Sequence, residues 1–296
     1  MFTSQGPTLR ELTVQALSSI EHGYDLLAPK FDHTPFRTPD RMLDAVAETL
    51  RPLGPFGSGL DVCCGTGAGT RVLRPLCRER VTGVDFSAGM LAAAREAAVG
   101  EPVRGDSERG ESADGEPADE EPGDGEPGDG EPADGASADS ERGRGESQGP
   151  VTPTAYAPAM SWVRADARAL PFAPAFDLAV SFGAFGHYLP AERPALFAGV
   201  HRALRPGGLF AFPVGAPPLR RHPLYWTLLG FDAAMRVRNL LWRPTFVMYY
   251  RTFPLGGVRE DLARAGFTVA LHPLEEFGRR PDGSPNWRLV VARKPV

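Results

Sequence analysis

Cysteine is scarce in this chain of 296 residues, which contains only Cys63, Cys64 and Cys77. Their number is odd and no two have the Cys-x-x-Cys spacing, which argues against a disulfide framework. We therefore expect a reducing, cytoplasmic location, and we predict no metal site. No segment approaches the roughly 20 consecutive apolar residues of a membrane-spanning helix. The first ten residues lack the charged start and long apolar stretch of a secretory signal.

Charge is distributed unevenly along the chain, whose formal net charge is -5. Residues 101–150 contain 17 acids and 4 arginines, so the remaining 28 bases and 20 acids give the rest a net charge of +8. An acidic five-residue unit repeats four times, starting at Asp114, Asp119, Asp124 and Asp129. With almost no large apolar side chains to bury, we predict a disordered acidic insertion over residues 98–158. It is either a repeat without a role, or an electrostatic shield or docking tail.

Glycine marks the most informative motif of the sequence. Gly65, Gly67 and Gly69 alternate after an apolar run that contains Asp61. Glycine lets the backbone turn sharply out of a strand while leaving room for a ligand, so this pattern predicts a cofactor loop at a strand-to-helix turn. Twenty residues after Gly65, a second apolar run ends in Asp85, whose carboxylate can bind both hydroxyls of a ribose. Together these features predict a nucleoside-containing cofactor.

Two classes of nucleoside-binding enzyme share this layout, the nicotinamide dehydrogenases and the S-adenosylmethionine (SAM) methyltransferases. The dinucleotide motif requires a glycine where this chain has Thr70. In addition, the strands predicted over residues 267–271 and 287–292 are connected by a segment rich in glycine and proline. That segment is too interrupted for the helix that joins two parallel strands, so we predict an antiparallel pair. Both observations favour the methyltransferases.

With these features the chain resembles the class I SAM-dependent methyltransferases of the small-molecule type, over most of its length outside residues 98–158. Four blocks carry the resemblance: residues 60–69, 83–91, 165–180 and 204–210. The resemblance implies one methyltransferase domain over residues 1–296, with an N-terminal helical cap over residues 1–50. The expected fold is α/β and Rossmann-like: a doubly wound, mostly parallel seven-stranded sheet with a C-terminal antiparallel pair and helices on both faces.

The resemblance also assigns cofactor residues. Asp61 corresponds to the acid that supports the glycine loop near the amino acid end of SAM, and Asp85 to the ribose ligand. Asp166 corresponds to the acid that accepts a hydrogen bond from the adenine amino group, beside the backbone amide of Ala167. The pair Tyr24-Asp25 resembles the N-terminal Tyr-Asp of relatives that closes over the cofactor. The complete set expected to bind SAM is Tyr24, Asp61, Gly65, Thr66, Gly67, Asp85, Phe86, Met90, Asp166, Ala167 and Ser181.

The residues after the fourth predicted strand indicate the acceptor class. Nucleic-acid amino-methyltransferases carry an Asn or Asp, two prolines and an aromatic residue there, whereas this chain reads Ser-Phe-Gly-Ala-Phe-Gly-His-Tyr over residues 181–188. Its arginines are scattered without interleaved aromatic residues, so we predict a small-molecule acceptor and no nucleic acid. His187 is the best candidate for the base that removes the acceptor proton, and Tyr188 shares its loop.

A substrate-cap insertion is predicted over residues 214–254, with a helix over residues 224–242 whose apolar face is unusually wide. This face could pack on the core, close over an apolar substrate, or contact a second copy or a membrane surface. The sequence does not indicate an oligomeric state. The predicted activity is methyl transfer from SAM to an O, N or C atom of a small, apolar or aromatic acceptor. The alternative is a non-catalytic SAM-binding protein that regulates or scaffolds.

Overall fold

A seven-stranded sheet forms the centre of the computed structural model, which describes residues 6–34, 36–100, 157–249 and 253–296. The strands are β1 (Phe56–Val62), β2 (Cys77–Asp85), β3 (Ala159–Arg164), β4 (Phe176–Val180), β5 (Leu204–Gly215), β6 (Thr268–Pro273) and β7 (Trp287–Arg293). Their spatial order is β3-β2-β1-β4-β5-β7-β6. Strand β7 runs antiparallel to both of its neighbours, and the other neighbouring pairs are parallel. The predicted fold class is confirmed.

Eight helices of the described residues surround this sheet: α1 (Leu9–Leu17), α2 (Ile20–Leu27), α3 (Asp40–Leu50), α4 (Ala68–Leu73), α5 (Ala88–Gly100), α6 (Arg193–Ala203), α7 (Pro223–Leu241) and α8 (Leu255–Arg264). The sequence pattern over residues 10–22 predicts a single helix, which is wrong because the helix is interrupted between α1 and α2. There the Ser19 hydroxyl caps α2 by accepting a hydrogen bond from the His22 amide. The sequence also predicts a helix over residues 70–77 after the glycine loop, which is too long, because α4 ends at Leu73 and Cys77 already pairs with Phe56 in the sheet.

The acidic insertion predicted over residues 98–158 falls mostly outside the described residues. At its two ends the structure corrects the predicted boundaries. Helix α5 continues to Gly100, and β3 begins at Ala159 after two described residues. The remainder of the predicted insertion, residues 101–156, stays a prediction from composition.

The hydrophobic core lies on both faces of the sheet, as alternation along β5 shows. Phe210 and Phe212 contribute to the cluster that contains the buried residues of α6 and α8. Leu209 and Ala211 contribute to the opposite cluster, which contains the buried residues of α3 and α4. Because successive side chains of a strand point to opposite faces, this division requires helices on both sides of the sheet.

The sheet brings three loops together at one edge. Strands β2, β1 and β4 are neighbours and run parallel, so the loops that follow them leave from the same edge. Ligands of open α/β sheets bind at this carboxyl edge. Within the described residues, no helix has both the length and the apolar composition needed to cross a bilayer.

Candidate active site

The glycine loop after β1 turns through three residues with left-handed backbone. These are Cys63, with φ 58°, Gly65, with φ 52°, and Gly67, with φ 102°. A Cβ on Gly65 would meet no other atom within 4 Å, so the loop leaves open space where a ligand can approach the backbone. Gly69 has a different role, because its Cβ would lie 2.3 Å from Oδ1 of Asp61. The first turn of α4 therefore packs directly on the carboxylate of β1.

Cys63 is a site residue that the sequence analysis missed. A side chain in the left-handed region costs about 1–2 kcal/mol, and the structure describes no other non-glycine residue with positive φ. The Cys63 thiol lies 3.0 Å from the hydroxyl of Tyr188, in the loop after β4. The spacing of the glycines indicates the left-handed backbone at this position, since position 63 extends the alternation of Gly65, Gly67 and Gly69 by one step towards the N-terminus.

Asp61 is a buried carboxylate at the end of β1. Burial raises its pKa to about 8, and the nearby Asp85 acts in the same direction, whereas the amides of Thr70 and Gly69 act against it. These two amides lie outside ideal hydrogen-bond geometry, and no other described residue binds either oxygen; the buried Ser181 hydroxyl just after β4 also has no hydrogen-bond partner among the described residues. Asp61 pairs with Val180, so these two buried groups belong to adjacent strand ends. A buried carboxylate of this kind requires a cation or donor, which the ammonium group of SAM would supply.

Asp85, at the end of β2, is held by both neighbouring loops. Its Oδ2 accepts a hydrogen bond from the Gly65 amide at 3.0 Å, and its Oδ1 accepts one from the Ser87 amide at 2.9 Å. Burial raises the pKa of Asp85, and these hydrogen bonds oppose the shift. Each oxygen retains acceptor capacity for a hydroxyl group. The glycine loop and the predicted ribose acid are therefore in direct contact.

Two predicted apolar ligands follow Asp85. Phe86 is half-buried, and its carbonyl accepts a hydrogen bond from Arg164 Nε at 3.0 Å. Met90 is 2% exposed in α5, so its side chain belongs to the interior. Its amide donates to the Ser87 hydroxyl at 3.1 Å, so Ser87 caps this helix.

Asp166, after β3, is already engaged by Arg168. The Arg168 Nε donates to both carboxylate oxygens, at 3.0 and 2.9 Å, and its backbone amide donates to Oδ1 at 2.8 Å. The Arg168 guanidinium lowers the pKa of Asp166, which stays ionised. Ala167 is buried between them. An adenine amino group would share the carboxylate with Arg168.

The N-terminal segment contacts the loops after β1 and β2. Thr66, in the glycine loop, donates its hydroxyl to Oδ1 of Asp32 at 2.7 Å. Asp25 accepts hydrogen bonds from the Ser87 hydroxyl at 2.6 Å and from the Gly89 amide at 2.9 Å. Asp25 belongs to the Tyr24-Asp25 pair singled out in the sequence, whereas Asp32 was absent from the predicted site.

His187, in the loop after β4, is held from two sides. Its Nδ1 lies 2.7 Å from the carbonyl oxygen of Val247, which can only accept, so Nδ1 carries the proton. Nε2 therefore accepts from the Tyr24 hydroxyl, which lies 2.7 Å away. Burial lowers the pKa of His187, while the bond to Val247 acts in the opposite direction, and the imidazole is held neutral. Burial also raises the pKa of Tyr188, which stays a phenol.

A protein-family model described as a methyltransferase domain matches residues 33–272, which is most of the chain. Among curated proteins, none is significantly similar to the chain in sequence.

Solved structures share the fold at low sequence identity. The DhpI–SAH complex is 17% identical, with 97% of this chain and 99% of that chain covered and a TM-score of 0.53. A chain from the complex of the Haloferax volcanii Trm112 methyltransferase activator with a putative methyltransferase is 16% identical, with coverages of 94% and 98% and a TM-score of 0.53. A SAM-dependent methyltransferase from Methanosarcina mazei is 16% identical, with coverages of 82% and 94% and a TM-score of 0.50. The chain belongs to the methyltransferase domain family and is a class I SAM-dependent methyltransferase.

Proposed function

We propose that this enzyme transfers the methyl group of SAM to an O, N or C atom of a small, apolar or aromatic acceptor. SAM supplies an already activated methyl group, so the protein must mainly align the acceptor and take up its proton. The observation that carries the proposal is the enclosure of His187 between Tyr24 and Val247. An acceptor that reaches this enclosed imidazole has to be small.

The surroundings of His187 favour an apolar or aromatic acceptor. The Tyr24 ring lies edge-on to the imidazole at a centroid distance of 5.2 Å, and the buried Phe246 ring does so at 6.4 Å. Tyr188 and Cys63 add a further buried aromatic ring and a thiol in contact with each other. Flat apolar molecules pack well on such rings, and the few polar groups fix their orientation.

In this proposal the cofactor residues divide by the part of SAM that they bind. Asp85 binds the ribose hydroxyls, supported by its fixed position beside Gly65. Asp61 and Ser181 bind the amino acid portion, supported by their burial at adjacent strand ends. Asp166 and the Ala167 amide bind the adenine. The remaining members of the predicted set are Tyr24, Thr66, Gly67, Phe86 and Met90, of which Met90 would act through packing of the interior.

His187 takes up the acceptor proton through Tyr24 in this proposal. The neutral imidazole has its lone pair on Nε2, and the Tyr24 hydroxyl donates to that atom. As the acceptor loses a proton to the Tyr24 oxygen, the Tyr24 proton moves to Nε2. Tyr188 positions the acceptor, because the Cys63 thiol holds its hydroxyl.

We also propose a cytoplasmic location for this enzyme. The three cysteines are all free thiols, which supports a reducing compartment.

The experiment has two stages that use the purified full-length chain. Calorimetric titration first measures SAM binding to the native protein and to Asp85→Ala, and we expect the variant to lose it. Formation of S-adenosylhomocysteine is then measured with a panel of small aromatic and apolar molecules and with a panel of oligonucleotides and peptides. We expect turnover with the first panel only.

Two histidine variants separate the proposed base from a general effect on folding. His187→Ala should lose turnover and still bind SAM. His272→Ala, on the edge strand β6, should change neither property. Turnover with oligonucleotides or peptides would refute the small-molecule acceptor. SAM binding without turnover on any acceptor would favour the regulatory or scaffold alternative.

A further inference from the structure

Helix α7 exposes an apolar stripe along its outer side. Its members recur at spacings of three or four residues, so they lie on one face of the helix. The stripe consists of Trp226, Gly230, Ala233, Val237 and Leu240, with Leu241 beside it. Leu240 is 83% exposed, Leu241 76%, Trp226 62% and Val237 55%. The opposite side of α7 is packed through Met235 against Phe246 and Tyr249.

The exposed charged residues in the segment around this stripe are all arginines. Residues 219–243 contain five arginines and a single acid, Asp232, which is buried. Arg236 is exposed on the helix, and the exposed Arg220, Arg221 and Arg243 lie just before and after it. Trp242, 53% exposed, follows the last turn. Apolar residues with flanking arginine and tryptophan are typical of helices that lie in the boundary between lipid headgroups and acyl chains.

We propose that α7 is a membrane-surface helix that holds this enzyme on an anionic lipid bilayer. The stripe enters the headgroup region, and the four exposed arginines contact the lipid phosphates. A second copy of the chain is a less suitable partner for the stripe. A two-fold contact centred on the stripe would bring the exposed arginines of the two copies close together, and their like charges would repel. The acidic residues 101–150 match the arginines in charge but offer almost no large apolar side chains to cover Leu240 and Leu241.

The lipid contact lies one short segment away from His187. Asn239 of α7 accepts a hydrogen bond from the Phe246 amide at 2.8 Å and donates to the Phe246 carbonyl at 3.0 Å. The next residue, Val247, holds the His187 ring. An apolar acceptor dissolved in lipid would therefore reach the site beside α7. This consequence rests on the proposed function, whereas lipid binding by α7 does not.

Co-sedimentation with vesicles tests the proposal. Vesicles of phosphatidylcholine alone are compared with vesicles in which about a third of the lipid is phosphatidylglycerol. We expect the native chain to bind the anionic vesicles, and binding to weaken as salt is raised. The double variant Arg220→Gln with Arg221→Gln should bind about 25-fold more weakly, at about five-fold for each arginine removed. Leu240→Ser should weaken binding by about ten-fold or more.

The control is Val14→Ser, which removes an exposed apolar side chain from α1 and should leave vesicle binding unchanged. Calorimetric SAM binding by every variant separates loss of the lipid surface from loss of the fold or of the cofactor site. The proposal is overturned if the native chain does not bind anionic vesicles, or if it binds neutral vesicles equally well. It is also overturned if sedimentation velocity shows self-association that Leu240→Ser abolishes while vesicle binding is absent.

Discussion

The hydroxyl of Tyr24 and Nε2 of His187 lie 2.7 Å apart, although 163 residues separate them in the chain. This hydrogen bond joins α2 to the loop after β4. The Val247 carbonyl, on the other side of the imidazole, fixes the proton on Nδ1. Nε2 must therefore accept the hydrogen bond, and the Tyr24 hydroxyl donates it. The orientation of a candidate base thus depends on residues from three separate parts of the sequence.

Replacing Tyr24 with phenylalanine removes this hydrogen bond and keeps the ring that packs on His187 and Phe31. If Tyr24 and His187 act as a unit, Tyr24→Phe and His187→Gln should each lower kcat. The double variant should then be no slower than the slower single variant. Initial rates of S-adenosylhomocysteine formation measure the cycle. Additive losses in the double variant would show that the two residues act independently.

Replacing Asp61 with asparagine should change the pH dependence of stability. The folded pKa is about 8, against an ordinary value of 3.8, so between these values the folded state binds more protons than the unfolded state. This contribution to stability is present below about pH 4 and is lost as pH rises towards 8.

Asp61→Asn should therefore reduce the fall in the free energy of unfolding between about pH 4 and pH 8, and make the SAM-free protein more stable at pH 8. The same substitution should weaken the affinity for SAM. Urea unfolding over a series of pH values, with calorimetric SAM titration, measures both effects. If the free energy of unfolding of the variant falls with pH as steeply as that of the native protein, Asp61 does not cause the fall.

Two substitutions at Cys63 separate backbone strain from thiol contacts. Cys63→Ala keeps the left-handed backbone and removes the contact with Tyr188, so it should be destabilising. Cys63→Gly also removes the thiol but relieves the strain, and it should be about 1 kcal/mol more stable than the alanine variant. Thermal or urea unfolding of the pair measures the difference. If the alanine variant is as stable as the glycine variant, the backbone at position 63 is not strained.

Replacing Gly69 with alanine should destabilise the fold by about 3 kcal/mol, because the new Cβ would lie 2.3 Å from Oδ1 of Asp61. A matched control is Gly230→Ala in α7, where a Cβ meets nothing within 4 Å. In the middle of a helix this change should stabilise by about 0.5–1 kcal/mol. Urea unfolding measures both, and a neutral result for Gly69→Ala would mean that α4 can move away from β1.

The sequence predicts the sheet and the ribose side of the site well, because both depend on local patterns. Apolar runs alternate with helices, the glycine loop directly follows β1, and Asp85 is the last residue of the neighbouring strand β2. Parallel pairing of those strands then brings Gly65 to Asp85 without further information. The C-terminal antiparallel pair was predictable for a similar reason, since the connection is too interrupted for a crossover helix.

The acceptor side was less predictable, because its contacts join distant segments without any repeating pattern. Nothing local in the sequence indicates that Val247 binds His187, or that Asp32 binds Thr66. The break between α1 and α2 depends on a single capping serine, Ser19, in a stretch that otherwise reads as helical. Such contacts are specified by tertiary packing, which a single sequence does not display.

Adjacent residues of α2 contact opposite sides of the site. Asp25 is anchored at the start of α5, beside the ribose acid, while Tyr24 is anchored to His187. Movement of α2 away from one anchor therefore pulls on the other. The ribose side and the His187 side of the site are therefore mechanically coupled through two consecutive residues of one helix.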